Sequence, residues 1–186
     1  MPEEVLGLDP RSPAQLTQEN RMDLDIQMSA GLIKRYHTIT IIGEQTVAAH
    51  SYNVVQILRH ITDDMLSINL LKAALDHDAM EYFTGDTPHP TKQAFPELNK
   101  ALHDVEHEVL RELGIDYELT EEEALLLRWA DTVEAGIFGK HQVELGNRHA
   151  LVIIANIVIF FHSQKGMPQK LVDMVNEIGD YLDDRK

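Results

Sequence analysis

There is no cysteine among the 186 residues of this chain. Disulfides and thiolate chemistry are therefore excluded, and any metal site has to be assembled from histidine and carboxylate. Long apolar runs are missing too. The longest, Ala150 to Phe161, is interrupted by Asn156, falls short of the roughly 18 residues that a membrane span requires, and reads as a core helix. The opening Met-Pro-Glu-Glu carries neither the basic segment nor the apolar stretch of a secretory signal, so a cytoplasmic location is expected, with no membrane partner. Cations are scarce: 16 Lys and Arg against 31 Asp and Glu leave a formal net charge of −15. A surface this acidic repels a polyanion, so a nucleic-acid polymer is not expected as a partner. A small anionic substrate stays open, provided that some of the few cations gather locally. There is no internal repeat and no low-complexity stretch.

What is present suits one globular domain. Apolar residues make up 44% of the chain, and a domain of this size hides about 70% of its unfolded surface. Residues 1–16, with Pro2, Pro10 and Pro13, read as an irregular arm, and residues 17–186 as the domain. A helical pattern runs from about Thr17 to Lys34, with Met22, Leu24, Ile26, Met28 and Leu32 as its apolar positions. Within Arg35 to Gln45, Tyr36, Thr38, Ile39, Thr40, Ile41 and Ile42 are β-branched or aromatic and Gly43 ends the run, which points to an extended loop. Thr46 and Ser67 are placed to cap two helices separated by the breaker Asp63-Asp64, the second ending near His77-Asp78. Gly85, Pro88 and Pro90 predict a loop. A polar helix is expected from about Lys92 or Pro96 to Leu113, stopped by Gly114. Thr120 to Glu123 is a capping box that opens a helix through Trp129 and Val133. Two further helices are expected, roughly Leu145 to Gln164 and Pro168 to Leu182. The fold class is all-α, with about six or seven helices around one core.

His77-Asp78 is the most informative pair. It closes the apolar run Ile68 to Leu75, where an imidazole and a carboxylate cannot both be buried without partners. A divalent metal resolves this, because it takes neutral imidazole and ionised carboxylate together. His50 upstream and Asp131 downstream fit the same site.

The order His50, His77-Asp78, Asp131 is an H…HD…D pattern, and with it the chain resembles the HD-domain metal-dependent phosphohydrolases. Within them it is similar to the branch of bacterial 5′-deoxynucleotidases and phage deoxynucleoside triphosphohydrolases. Three local matches carry the narrower resemblance: Arg35-Tyr36 upstream of His50, His77-Asp78 followed by Glu81, and Gly85-Asp86-Thr-Pro88-His-Pro-Thr-Lys92. Together they span about residues 30 to 135. The resemblance implies a single HD-domain helical bundle and an enzyme that hydrolyses a small deoxynucleotide. His50, His77, Asp78 and Asp131 would ligate one divalent ion, with open positions for water and a phosphate oxygen. The ion is Zn, Co, Mn or Mg, with Fe and Ni equally suited to these ligands. Glu81 would position or deprotonate the attacking water. Asp86 would be a second carboxylate near the site. Arg35, Lys92 and Arg128 would neutralise phosphate charge, and Tyr36, where a Trp is expected, would bear on base or sugar preference.

The intervals from His50 to His77 and from Asp78 to Asp131 are shorter than the resemblance leads one to expect of the monophosphate enzymes. They are closer to the small phage triphosphohydrolases. The expectation is a deoxynucleoside triphosphohydrolase, dATP foremost, acting in the host cytoplasm if phage-encoded. The alternatives are a 5′-deoxynucleotidase acting on dNMPs, a non-catalytic nucleotide-binding HD regulator, and a helical interaction protein with no site. A homo-oligomer is expected because Ile153 to Phe161 is apolar all round.

Residue by residue, plainer readings stand beside these. Taken alone, His50 is better read as a satisfied core histidine, and Asp131 as a mid-helix carboxylate paired with Arg128. Glu81 and Asp86 could decorate a loop. His103 and His107 have the i, i+4 spacing of a zinc pair, but their helix is polar and offers no third ligand, so a solvated face is the better reading. His89 sits within the Pro-rich loop over the expected site and is left unassigned. The ordered set, not any single residue, favours the metal.

Overall fold

Backbone hydrogen bonding at helix ends decides where this chain turns. The computed structural model describes residues 24–112, 115 and 117–183. The irregular arm, the first turns of the expected opening helix and the Gly114 stop lie outside those residues. Within them the chain forms α1 (Leu24–Ala30), α2 (Val47–Ile61), α3 (Ile68–Asp76), α4 (Glu81–Thr84), α5 (His89–Ala94), α6 (Pro96–Glu112), α7 (Glu121–Glu144), α8 (Leu151–His162) and α9 (Gln169–Gly179). The described residues hold no strand; an isolated bridge pairs Lys34 with Thr46.

The caps act as their chemistry requires. Thr46 accepts from the Ala49 N–H at the head of α2, and Ser67 accepts from Leu70 N–H at the head of α3. Each satisfies an amide that a helix start leaves orphaned, at about 1 kcal/mol apiece. Thr120 and Glu123 close a reciprocal capping box on α7. Asp63 and Asp64 end the first of these turns with φ of 54° and 64°, left-handed values that Asp tolerates better than most residues.

Two boundaries and the helix count differ from the sequence-based expectation. The segment after Gly85 is not loop throughout. Pro90 occupies the first turn of α5, where its missing N–H would have been unsatisfied in any case. The expected helix from Leu145 does not begin there. α7 runs on to Glu144, Gly146 turns the chain at φ 97°, and a 3-10 turn at Arg148–Ala150 leads into α8. The count rises above six or seven because α4 and α5 are one- or two-turn helices that periodicity cannot register.

α7 is the central element, packed against α8 and α2, while α3 lies on α2 and α9 on α8. Val54 and Leu58 of α2, Val133 of α7, Ile154 of α8, and Leu171 and Ile178 of α9 meet in one buried core. Close approach is possible because α7 carries Gly136. A Cβ there would stand 3.0 Å from Ile178 Cδ1 and 3.1 Å from Ile157 Cγ2. A second, smaller cluster of Ala79, Met80, Val109 and Leu110 ties α6 to the segment that follows His77-Asp78. No helix among the described residues is long and apolar enough to cross a membrane.

Candidate metal centre

Packing α2 on α7 and α3 on α2 brings three stretches of sequence to one point. His50 lies on the buried face of α2 and is 0% exposed. His77 caps the C-terminus of α3, where its backbone N–H bonds to Ala73, and Asp78 follows it. Asp131 projects from α7. His50 Nε2 stands 3.2 Å from His77 Nε2, 3.1 Å from Asp131 Oδ1 and 3.5 Å from Asp78 Oδ2. His77 Nε2 is 3.6 Å from Asp78 Oδ2 and 4.0 Å from Asp131 Oδ1. Ligand atoms about 2.1 Å from a common ion in tetrahedral array stand about 3.4 Å apart; His50, His77 and Asp78 offer atoms all within 4.8 Å of one another, as a shared divalent cation requires, and Asp131 approaches both imidazoles. Two nitrogens and two carboxylate oxygens are also a donor set that zinc and its neighbours accept.

The outer hydrogen bonds set the tautomers. His77 Nδ1 lies 3.1 Å from the Ala74 carbonyl; a carbonyl only accepts, so Nδ1 carries the proton and the neutral ring has its lone pair on Nε2. His50 Nδ1 lies 2.8 Å from Glu134 Oε2, which favours the same tautomer. Two lone pairs then face each other beside two carboxylates, and only a cation or a proton relieves that repulsion. With no metal, a proton takes the place. Burial opposes a charged His50 ring, but hydrogen bonds to Asp131 and Glu134 outweigh it and raise its pKa to about 9. For Asp131, burial is outweighed by the His50 hydrogen bond and by the His77, His50 and Arg35 charges, which hold its carboxyl well below the usual range. The Asp131 side chain keeps 42% exposure against 0% for His50, so the donor set opens on the carboxylate side.

Glu81, in the first turn of α4, is buried, and its Oε2 has no hydrogen-bond partner in the described structure. Burial, reinforced by Asp78 and Asp86, pushes its carboxyl up to about 8. Beside these groups lies a cavity of about 510 Å³, lined by His77, Asp78, Glu81 and Lys92, with a wall from α6.

Other residues singled out in the sequence are placed as follows. Asp86 Oδ2 accepts from the Tyr36 N–H at 3.0 Å and lies 3.7 Å from His37 Nδ1. Tyr36 sits at φ 60°, a conformation that costs a β-carbon residue of the order of 1 kcal/mol, and its ring stacks on Phe138 at 4.3 Å. Asp86 thus pins the Arg35-Tyr36 turn to the loop after α4. Arg35 is largely buried, with Nη1 3.6 Å from Glu134 Oε2. Arg128 is exposed and lays its guanidinium over the Phe160 ring at 5.2 Å, so the surface ion pair with Asp131 expected as its plain reading is not what holds it. His89 is exposed at the start of α5, and His103 and His107 lie ring to ring at 4.5 Å on α6.

Sequence reasoning passed over Glu134, Gln45 and Asn53. Glu134 is 1% exposed; its Oε1 accepts from Gln45 Nε2 at 2.7 Å and Asn53 Nδ2 at 2.9 Å. The available signal was position: Glu134 follows Asp131 by one helical turn, on the same face.

Comparison with known proteins comes to the same place. The sequence matches the YfbR-like 5′-deoxynucleotidase family over residues 27–158. Among solved structures, the fold is similar to the cyanophage S-2L HD phosphohydrolase DatZ, bound to dA and one catalytic Zn2+ ion. That match has a TM-score of 0.65 and 20% identity, covering 86% of this chain and 95% of the other. An HD-domain phosphohydrolase from Listeria innocua aligns with a TM-score of 0.44 at 20% identity, covering 83% and 95% of the two chains. No curated protein sequence matches the chain.

Proposed function

The chain belongs to the YfbR-like 5′-deoxynucleotidase family and is a hydrolase of the HD phosphohydrolase type, and from that premise we propose that it cleaves deoxynucleoside triphosphates, dATP foremost, to deoxynucleoside and triphosphate. The observation that carries a metal-dependent reaction is the meeting of His50 Nε2 with His77 Nε2, Asp78 Oδ2 and Asp131 Oδ1 at 3.1–3.5 Å. A divalent ion held by these residues would supply Lewis-acid polarisation of a phosphoryl oxygen and would lower the pKa of a water. The water oxygen joins the α-phosphorus, the bond from that phosphorus to O5′ breaks, and O5′ leaves with a proton. The same bond breaks in a monophosphate; the two substrates differ only in what else the phosphorus carries.

In this reading the four donors hold the ion and Glu81 handles the water proton. A carboxyl raised to about 8 exchanges protons near neutral pH, the range a general acid–base needs. Arg35 and Lys92 face phosphate charge, with Arg128 as a further cation on the same helix as Asp131. Asp86, through the Tyr36 N–H, shapes the turn over which the nucleoside lies. The choice of triphosphate is supported by the compact intervals within the motif and by the size of the cavity beside Glu81. The choice of dA is supported by the ligand of the cyanophage relative. A 5′-deoxynucleotidase acting on dNMPs is the second reading, favoured by the family match itself. Residues 17–186 are read as one domain, working in the cytoplasm, as a homo-oligomer through α8, which leaves Val152 and Ile159 59% and 67% exposed.

The test is product analysis. Protein loaded with Zn, Co, Mn or Mg is incubated with each of the four dNTPs and four dNMPs, and products are resolved by anion exchange. Deoxynucleoside with triphosphate, from dATP above the others, is the expected result. Phosphate from dNMPs with every dNTP intact would overturn the triphosphate assignment and establish the second reading.

A further inference from the structure

The cavity beside the metal centre reaches well past the groups that would act on one phosphate. His77, Asp78 and Glu81 line one end, and α6 supplies the facing wall with Asn99, Lys100 and His103. Cations are scarce in a chain of net charge −15, and several are already neutralised: Lys34 pairs with Glu44, Lys140 with Glu177 and Lys170 with Asp63. Lys92 of α5 and Lys100 of α6 line the cavity; the Lys92 charge reaches Glu81 at the metal end, and neither lysine side chain is held in an ion pair or side-chain hydrogen bond among the described residues. Two ammonium groups from adjacent helices that line one cleft offer positive charge to a polyanion held there. The acidic residue of the α6 wall, Glu106, faces His103 Nδ1 at 3.6 Å. The other acidic groups lining the cavity, Asp78 and Glu81, lie at its metal end.

We propose that Lys100 and Asn99 of α6, acting with Lys92, form a subsite for the phosphates beyond the one attacked, so that the α6 wall selects a polyphosphate over a monophosphate. The proposal rests on the reading of this chain as a metal-dependent deoxynucleotide hydrolase. It adds a group that no motif of the family marks, since Lys100 lies outside the Gly85-to-Lys92 element. Lysine serves such a site as a mobile point charge, which suits a flexible tail better than a fixed fork would. One ammonium contact in a half-open cleft changes affinity about 5- to 10-fold.

The experiment compares wild-type protein with Lys100→Ala and Lys100→Glu, all zinc-loaded. Calorimetry gives the affinity for inorganic tripolyphosphate, and steady-state kinetics give KM for dATP and dAMP. The expected result is tripolyphosphate affinity about 5- to 10-fold weaker in Lys100→Ala and weaker still in Lys100→Glu. KM for dATP should rise in step and KM for dAMP less. Zinc content, read by elemental analysis, should stay at the wild-type value and show that the metal centre is intact. Tripolyphosphate bound equally by all three proteins would overturn the subsite, even if dATP is cleaved. Binding that depends on Lys100, with no dNTP hydrolysed, would instead uphold the subsite and remove the proposed reaction.

Discussion

Replacing Glu134 by Gln keeps the shape of a buried hub and changes one oxygen to an amide. Four groups converge on the native carboxylate: His50 Nδ1 at 2.8 Å, Gln45 Nε2 at 2.7 Å, Asn53 Nδ2 at 2.9 Å and Arg35 Nη1 at 3.6 Å. All four are donors, or become so in the tautomer that leaves His50 Nε2 free. A glutamine has one accepting oxygen. If its NH2 turns towards His50, the ring must move its proton to Nε2, which takes that nitrogen from the metal. If the NH2 turns towards Gln45 and Asn53, two amide donors, one of them buried, face a third. Loss of an outer partner of a ligating histidine costs about 10- to 100-fold in metal affinity, roughly 1.4–2.7 kcal/mol, and the Arg35 charge loses its counter-ion in addition. The assay is competition for zinc against a chromophoric chelator, repeated across pH. The wild-type His50 binds a proton up to about pH 9 in the metal-free protein, so zinc affinity should rise with pH towards that value. In Glu134→Gln one of the bonds that raises it is gone, and the rise should end at lower pH. Equal zinc affinity and an unchanged pH profile would refute the assignment of Glu134 as the residue that positions His50.

Further outcomes can be checked. The metal-free protein should lose thermal stability as pH rises: Glu81 at about 8 and His50 at about 9 bind protons in the folded state that the unfolded chain releases near 4.5 and 6.5. Their contribution is present at low pH and lost through those folded values; a melting temperature rising between pH 6 and 9 would contradict it. Glu81→Gln should retain zinc and lower kcat by about 10²- to 10⁴-fold, whereas His77→Ala should lose zinc and activity together; a Glu81→Gln enzyme with native kcat removes Glu81 from the chemistry. Ile159→Glu on the exposed face of α8 should shift the mass in light scattering towards monomer, and a wild-type protein already monomeric would end the oligomer reading.

Much of the helical layout was legible in the sequence because its signals are local. Thr46, Ser67 and the Thr120–Glu123 box act through hydrogen bonds that span three residues, and Asp63-Asp64 act through their own φ angles. The donor types were legible too: a chain without cysteine that places His77-Asp78 at the end of an apolar helix needs a partner for both. Local rules failed where helices are a turn or two long, as at α5, or where a break carries little more than one glycine, as before α8. Only tertiary packing decided what those groups meet. Separations of 3.1 Å between His50 and Asp131, or 2.8 Å between His50 and Glu134, depend on how closely α2 lies on α7, and neither periodicity nor capping carries that distance. The same holds for Asp86, whose carboxylate meets the Tyr36 N–H across fifty residues, and for Lys100, which periodicity assigns to a solvated helix and which packing turns to the cavity. Helix starts and stops are made by neighbours in sequence. A site is made by side chains whose positions are the sum of every helix contact between them.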